Sequence, residues 1–185
     1  MTVADYLTLM RLLLVPVFIS AFLFDRPHLA LASFLVAGFT DLIDGSIARF
    51  LKQPTRFGAF LDPIADKLLL ESAFICLTFV QILPLWFLLL ALSRDVMILS
   101  GIYYLYRVKA NVRYQAVYAS KFATLFQLIT TVLGLIIYRS SAHPDSGLYT
   151  WMYFFLVIST LLIIISAIQY ITIGYGVVRS RAKAT

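Results

Sequence analysis

The sequence predicts an all-α integral membrane protein, a bundle of six transmembrane helices that forms one domain over residues 1–185. Of the 185 residues, 62% are hydrophobic and 13% are charged, whereas soluble proteins have about half apolar and a quarter charged residues. A soluble domain of this length could not bury so much apolar side chain, so the lipid bilayer is the expected solvent. Six apolar stretches are long enough to cross it, since one crossing takes roughly 20 residues.

Residues that break helices separate the six spans. Pro27, Pro54, Pro84 and Pro144 all fall between apolar stretches, where they mark turns. Pro16 lies inside the first stretch, a position that membrane helices tolerate. We predict spans near residues 7–24, 29–44, 62–82, 85–106, 116–138 and 149–173. The second span is expected to continue past residue 44 towards residue 50.

Basic residues give the predicted orientation. An even number of spans puts both termini on one side of the membrane. The loops on the other side contain only Arg26 and Arg139. By the positive-inside rule, the termini and the remaining loops face the cytoplasm, in the cell (inner) membrane. The net charge of +6 therefore reflects topology, and no nucleic-acid partner is predicted. The cytoplasmic basic residues are Arg49, Lys52, Arg56, Arg107, Lys109, Arg113, Arg179, Arg181 and Lys183.

Four aspartates, Asp41, Asp44, Asp62 and Asp66, stand at regular spacing in this apolar chain. Acidic residues inside membrane segments are costly and mark functional sites. On helices, each pair projects from one face, because its members are three or four residues apart. Together the two faces make an oxygen-rich cage of the kind that Mg²⁺ prefers. Taken alone, Asp62 followed by Pro63 is also typical of a helix cap.

The spacing resembles the signature of the CDP-alcohol phosphotransferase family. From Asp41 to Asp66 the chain reads Asp-x2-Asp-Gly-x2-Ala-Arg-x8-Gly-x3-Asp-x3-Asp, and every specified position of that signature is present. The length and hydrophobic layout of the rest also resemble the family. The resemblance implies an enzyme that transfers a phosphatidyl group from CDP-diacylglycerol to an alcohol and releases CMP.

The resemblance also assigns roles to the motif residues. Asp41, Asp44 and Asp62 are implied metal ligands, for Mg²⁺ or Mn²⁺, with two ions expected. Asp66 is implied to share a metal and to act as general base towards the acceptor hydroxyl, and the sequence leaves the division of these roles open. The implied CDP-binding positions are Asp44, Gly45, Ala48, Arg49 and Gly58.

Basic residues later in the chain are candidates for binding the acceptor. In family members that use glycerol phosphate, an arginine and a lysine help to form the acceptor-phosphate pocket, and Arg94 and Lys121 resemble them. Neither has an evident close partner facing it, which suits anion binding, although Arg94 could instead pair with Asp95. Arg107 and Arg113, with Lys109 between them, are further candidates, and their alternative role is to signal topology.

Two departures from the family pattern leave the acceptor open. Many glycerol-phosphate members begin Pro-Asn-x2-Thr-x2-Arg, and this chain has Ala4-Asp5 before Thr8 and Arg11. Those members often carry Arg-Glu where this chain has Arg94-Asp95, a version more like the cardiolipin synthases of the same fold. Glycerol 3-phosphate, giving phosphatidylglycerophosphate, is the expected acceptor, and phosphatidylglycerol, giving cardiolipin, is the alternative.

A non-catalytic membrane carrier or channel is the competing function class, because such proteins also place acids within the membrane. That class gives no reason for the glycines and the arginine of the motif. The other expected partners are membrane lipids and a second copy of the chain, since the family is often dimeric. The sequence does not identify a dimer interface.

Overall fold

Helices make up nearly all of the described part of this computed structural model, whose backbone covers residues 3–51, 58–107, 118–140 and 147–182. Side chains are described over residues 9–40, 67–101, 119–140 and 147–172. The described residues contain no strand, which confirms the all-α class. The helices are α1 (Val3–Leu23), α2 (Pro27–Leu51), α3 (Gly58–Phe79), α4 (Leu85–Arg107), α5 (Tyr118–Ser140) and α6 (Gly147–Ala182).

The helix bounds follow the apolar stretches, with two informative differences. α2 continues to Leu51, as expected from the sequence beyond residue 44. α3 begins at Gly58, four residues before Asp62, so Asp62 lies beyond the first turn and not at a cap. α6 continues past residue 173 to Ala182, through Gly174 and Gly176, and its sequence contains no proline.

Two of the six helices contain segments that are long and apolar enough to cross a membrane, within the residues described. These segments are Ala119–Ser140 of α5 and Gly147–Thr172 of α6, and shorter apolar segments occupy Leu9–Leu23 of α1 and Pro27–Thr40 of α2. These segments were identified by their length and composition, and core helices of soluble proteins can meet the same two criteria. Six crossings remain a prediction.

The chain divides into two compact units. The first unit comprises Met1–Leu83 and Thr131–Tyr149, and the second comprises Pro84–Thr130 and Thr150–Thr185. The first therefore contains α1, α2, α3 and the second half of α5, whereas the second contains α4, the first half of α5 and most of α6. The expectation of one domain over residues 1–185 remains a prediction.

Aromatic and aliphatic side chains form the core of the first unit. The ring centroids of Phe18 and Phe34 are 5.9 Å apart, and both rings are buried. Phe22 stacks on Tyr138 of α5 at 4.4 Å, with an angle of 21° between the rings. Aromatic pairs of this kind contribute roughly 0.5–1.5 kcal/mol beyond the burial of their area. They hold α1 against α2 and against the end of α5.

Left-handed residues end two helices of this unit. Asp25 follows α1 with φ 51° and Gln81 follows α3 with φ 61°. In each turn the backbone N–H of the following residue donates a hydrogen bond to a carbonyl oxygen of the helix. Arg26 N donates to Ala21 O at 2.8 Å, and Ile82 N donates to Leu77 O at 3.0 Å. Both turns therefore close with the αL geometry that satisfies terminal carbonyls.

In the second unit, α6 buries one face and exposes apolar side chains on the others. The buried positions recur every three or four residues, as a single helix face requires: Met152, Leu156, Ser159, Ile163 and Ser166. Trp151, Phe154, Leu161 and Ile165 are among the exposed residues. A helix that is apolar all round fits a lipid environment better than water.

Gly134 of α5 packs closely against the end of α3 in the first unit. A Cβ there would lie 2.8 Å from Leu77 Cδ1 and 3.7 Å from Ile82 Cγ2. Leu77 is itself fully buried, so it has little room to move. Small residues of this kind let helices pack closely in membranes.

We therefore expect Gly134→Val to lower the free energy of unfolding by about 1–3 kcal/mol, because overpacking a buried contact costs that much. Gly38→Val is the matched control, since a Cβ at Gly38 meets nothing within 4 Å. Thermal unfolding of both variants in the same detergent measures the difference. Equal melting temperatures would show that the α5 contact does not limit packing.

Candidate functional site

The four motif aspartates lie on two helices of the first unit. α2 carries Asp41 and Asp44 in its second half, and α3 carries Asp62 and Asp66 near its start. Both helices run through these positions without interruption, so each pair is separated by about one turn. Their side chains lie outside the described residues.

The scaffold under this motif is α1. It packs against both α2 and α3, and α2 and α3 also contact each other. The two motif helices are thus part of one three-helix arrangement within the first unit. Gly45, Ala48 and Arg49 fall in the last turns of α2, and Gly58 is the first residue of α3. The contacts of these four residues also lie outside the described part.

No second cluster of metal-binding side chains competes with the motif within the described residues. No group of three or more His, Cys, Asp or Glu side chains there could hold a metal ion. The spacing of the aspartates predicts an oxygen-rich cage, the family resemblance implies that they are metal ligands, and both remain predictions. Their chemistry is suitable, because four carboxylates supply the hard oxygen donors that Mg²⁺ and Mn²⁺ prefer.

Arg94 of α4 belongs to the second unit, where its side chain is 5% exposed. Its Nη1 donates to Asp95 Oδ1 at 2.8 Å in an ion pair. Its Nη2 donates to the carbonyl oxygen of Ser120 at 3.1 Å and also to the Ser120 hydroxyl. The expectation that Arg94 has no close partner is therefore wrong, and the alternative pairing with Asp95 is confirmed.

Lys121 differs from Arg94 in its surroundings. It follows Ser120 in the first turn of α5, and its side chain is exposed. The Ser120 carbonyl also accepts a hydrogen bond from the Thr124 hydroxyl at 3.1 Å. The first turn of α5 is consequently bonded to α4 through Arg94, and Lys121 is carried by that turn.

Beside Arg94, a groove of about 290 Å³ lies between α4 and α6. Its α4 wall includes Leu90, Ser93, Arg94 and Met97, and its α6 wall is mostly isoleucine over residues 163–171. Apart from Ser93 and Arg94, the residues that line the groove are apolar. An ion pair in such surroundings is strong only if its hydrogen bonds are well made.

The remaining acceptor candidates cannot be placed in this cluster. Arg107 is the last residue of α4, and its side chain lies outside the described residues. Lys109 and Arg113 lie outside them entirely.

Two further charged residues, Lys67 and Glu71, lie one turn apart on α3. Both are half-buried.

Two polar contacts escaped prediction because their partners are far apart in sequence. The Ser120 contact of Arg94 spans 26 residues. The Tyr138 hydroxyl donates to Asp25 Oδ1 at 2.8 Å across 113 residues, which fixes the end of α5 to the turn after α1.

Comparison with known proteins identifies one family over nearly the whole chain. The sequence profile of the CDP-alcohol phosphatidyltransferase family matches residues 1–179. A Haemophilus influenzae protein is 30% identical over an alignment of 179 residues that covers 92% of this chain and 92% of that protein, and it is named CDP-diacylglycerol–glycerol-3-phosphate 3-phosphatidyltransferase.

Two further relatives match over shorter regions. A probable phosphatidylglycerophosphate synthase of Mycobacterium tuberculosis is 45% identical over 98 residues, covering 50% of this chain and 47% of that protein. A cardiolipin synthase (CMP-forming) of Rattus norvegicus is 34% identical over 150 residues, covering 72% of this chain and 50% of that protein. Similarity therefore extends to enzymes with both acceptors considered from the sequence.

Proposed function

Because this chain belongs to the CDP-alcohol phosphatidyltransferase family, we propose that it transfers the phosphatidyl group of CDP-diacylglycerol to glycerol 3-phosphate. The products are phosphatidylglycerophosphate and CMP. The observation that carries this proposal is the match to the Haemophilus influenzae enzyme over 92% of both chains. A match of that extent covers nearly all of both proteins.

The motif residues supply the donor side of the reaction. Asp41, Asp44, Asp62 and Asp66 would hold two Mg²⁺ or Mn²⁺ ions. When bound, these ions neutralise charge on the diphosphate and on the leaving group. Gly45 and Gly58 lack a Cβ, so backbone can approach the nucleotide closely there. Ala48 leaves room for the cytidine, and Arg49 suits a phosphate oxygen.

Asp66 has the second task of accepting a proton. Its carboxylate takes the proton of the acceptor hydroxyl as the hydroxyl oxygen bonds to the phosphorus that carries diacylglycerol. The bond from that phosphorus to the oxygen bridging to CMP breaks, and CMP leaves with the bonding electrons. Positioning and charge stabilisation supply most of the rate in phosphoryl transfer.

Cardiolipin synthesis from phosphatidylglycerol is the second candidate function. One observation favours it, namely that the charge of Arg94 is paired with Asp95. A compensated arginine suits a phosphodiester, which carries a single negative charge, better than a phosphate monoester. The similarity to the rat cardiolipin synthase over 72% of this chain supports the same alternative.

The setting that we propose is the cell (inner) membrane, with six spans, cytoplasmic termini and the aspartate motif at the cytoplasmic side. The apolar segments of α5 and α6 support insertion into a bilayer. CDP-linked lipids and glycerol 3-phosphate meet at that surface. A homodimer is part of the same proposal.

Removing one motif carboxylate should abolish transfer. We expect purified Asp41→Asn and Asp62→Asn to retain less than about 1% of wild-type CMP release, because each removes a ligand charge from a site that needs several. Chelator should stop the wild-type reaction, and Mg²⁺ or Mn²⁺ should restore it. Asp25→Asn is the control, since Asp25 is a carboxylate outside the motif that bonds Tyr138. Near-normal turnover by Asp41→Asn would contradict the metal assignment.

Asp66→Asn separates the base from the ligand role. A base acts in the transition state, so kcat should fall by a factor of about 10²–10⁴. The affinity for CDP-diacylglycerol, measured by binding without acceptor, should change far less. If affinity collapses while turnover at saturation persists, Asp66 acts as a ligand alone.

The acceptor is decided by offering both alcohols together. Wild-type enzyme with CDP-diacylglycerol, glycerol 3-phosphate and phosphatidylglycerol should yield phosphatidylglycerophosphate, identified by mass spectrometry. Cardiolipin without phosphatidylglycerophosphate would replace the first candidate function with the second. Formation of neither product, without CMP release, would contradict both.

A further inference from the structure

Arg11 of α1 is a charged residue in the interior of the first unit, with 1% of its surface exposed. It lies on the same face of α1 as Val15, Phe18 and Phe22, since these buried residues recur every three or four positions. The same face packs against α2, where the ring of Phe34 lies 5.9 Å from that of Phe18. A buried charge needs an opposite charge and well-made hydrogen bonds, so the residues that α2 brings to this face are informative.

The register between α1 and α2 shows which residues those are. The two helices are in contact and are joined by a short turn over residues 24–26, so they run antiparallel. Phe18 lies opposite Phe34. Arg11 is seven residues before Phe18, and Asp41 is seven residues after Phe34. Seven residues are about two helical turns, so Arg11 and Asp41 lie at the same level of the antiparallel pair.

Buried residues on both sides of the phenylalanine pair support this register. Val15 and Ala37 are each three residues from it towards Arg11, and both are buried. Phe22 and Ala30 are each four residues from it in the other direction, and both are buried as well. A small residue of α2 therefore faces a larger residue of α1 at each of these levels, which lets the helices approach closely. The next level of the same face holds Arg11.

The guanidinium group of Arg11 suits the pair of aspartates on α2. Asp44 follows Asp41 by three residues, so both lie on one side of α2. Side chains of a helix tilt towards its N-terminus. For α1, this is the direction in which α2 continues from Asp41 to Asp44. Arginine has five N–H donors in a planar fork that matches carboxylate groups, so one guanidinium group at this level is able to bond to both aspartates.

We propose that Arg11 is a positioning residue of the metal site, whose guanidinium group binds the carboxylates of Asp41 and Asp44 and holds them in the orientation that a metal ion requires. This inference rests on the proposed function, in which both aspartates are metal ligands. Carboxylates that bind a metal are commonly held by further hydrogen bonds. In the metal-free protein, the same arginine compensates two negative charges that would otherwise repel each other.

Glu71 of α3 is the competing partner. It is half-buried, and α1 also packs against α3. The other acid in the described part of this unit is Asp25, which follows the far end of α1 and accepts a hydrogen bond from Tyr138. The experiment therefore has to distinguish the aspartates of α2 from Glu71.

The first measurement is the dissociation constant for Mn²⁺, obtained by electron paramagnetic resonance titration of the purified protein well below its melting temperature. Arg11→Met should raise this constant by about 10–100-fold, the usual effect of removing a group that orients a metal ligand. Arg11→Lys, which keeps the charge, should raise it less. Arg26→Met is the matched control, because Arg26 is exposed, and should leave the constant unchanged. A lower melting temperature for Arg11→Met with unchanged Mn²⁺ binding would overturn the positioning role.

Thermal unfolding in chelator identifies the partner of Arg11. Arg11→Met should lower the melting temperature by about 6–20 °C, because it leaves buried carboxylates without a compensating charge. Adding Asp41→Asn or Asp44→Asn should restore part of this loss, so the double variant should lose less than the sum of its single changes. Glu71→Gln should add its own effect independently. Coupling with Glu71, or with neither aspartate of α2, would overturn the inference.

The outcomes also separate this inference from the proposed function. If Arg11→Met does not fold, the same measurements on Arg11→Lys decide, and wild-type Mn²⁺ affinity in that variant without coupling to Asp41 or Asp44 overturns the inference. CMP release by a wild-type protein that binds no Mn²⁺ or Mg²⁺ contradicts the metal site and the inference together. Normal CMP release and Mn²⁺ binding by the wild type, with unchanged Mn²⁺ binding in Arg11→Met, refute the inference alone.

Discussion

The free-energy cost of placing charged side chains among apolar helices is the constraint on which the rest of this structure depends. An unpaired charge cannot be kept in such surroundings, so a buried ionic group needs a partner and further hydrogen bonds. Arg94 meets this requirement with Asp95 and with both oxygens of Ser120. The same bonds that satisfy the charge also connect α4 to the start of α5. The hydrogen bonds that compensate the charge of Arg94 therefore also hold α4 against the start of α5.

The first unit also depends on the way in which its helices pack. Its helices meet through aromatic rings and through the close approach at Gly134, and the polar contact between Tyr138 and Asp25 lies at an exposed turn. α1 contacts both motif helices, so the relative placement of the two aspartate pairs depends on apolar packing around α1. A metal site needs ligands at fixed separations. Apolar packing of the helices that carry the aspartates can keep these separations fixed.

Family membership identifies the class of reaction, but it does not identify the acceptor alcohol. The relatives include enzymes named for glycerol 3-phosphate and for cardiolipin synthesis, so overall similarity does not separate the two acceptors. The charge distribution at the acceptor candidates does bear on the choice. Arg94 is already paired with Asp95, whereas the side chain of Lys121 is exposed.

The sequence by itself determined the helical class, the approximate bounds of the helices, the family and the four aspartate positions. These features are local, because the length of an apolar stretch, the helix-breaking residues and the motif spacing all lie within short stretches of the chain. Tertiary structure alone decided the partners of particular side chains. The rotation of α4 about its axis and its choice of neighbour bring Arg94 to Ser120, and both depend on the packing of the whole unit. For the same reason the sequence suggested two equivalent acceptor cations, whereas the structure encloses Arg94 and exposes Lys121.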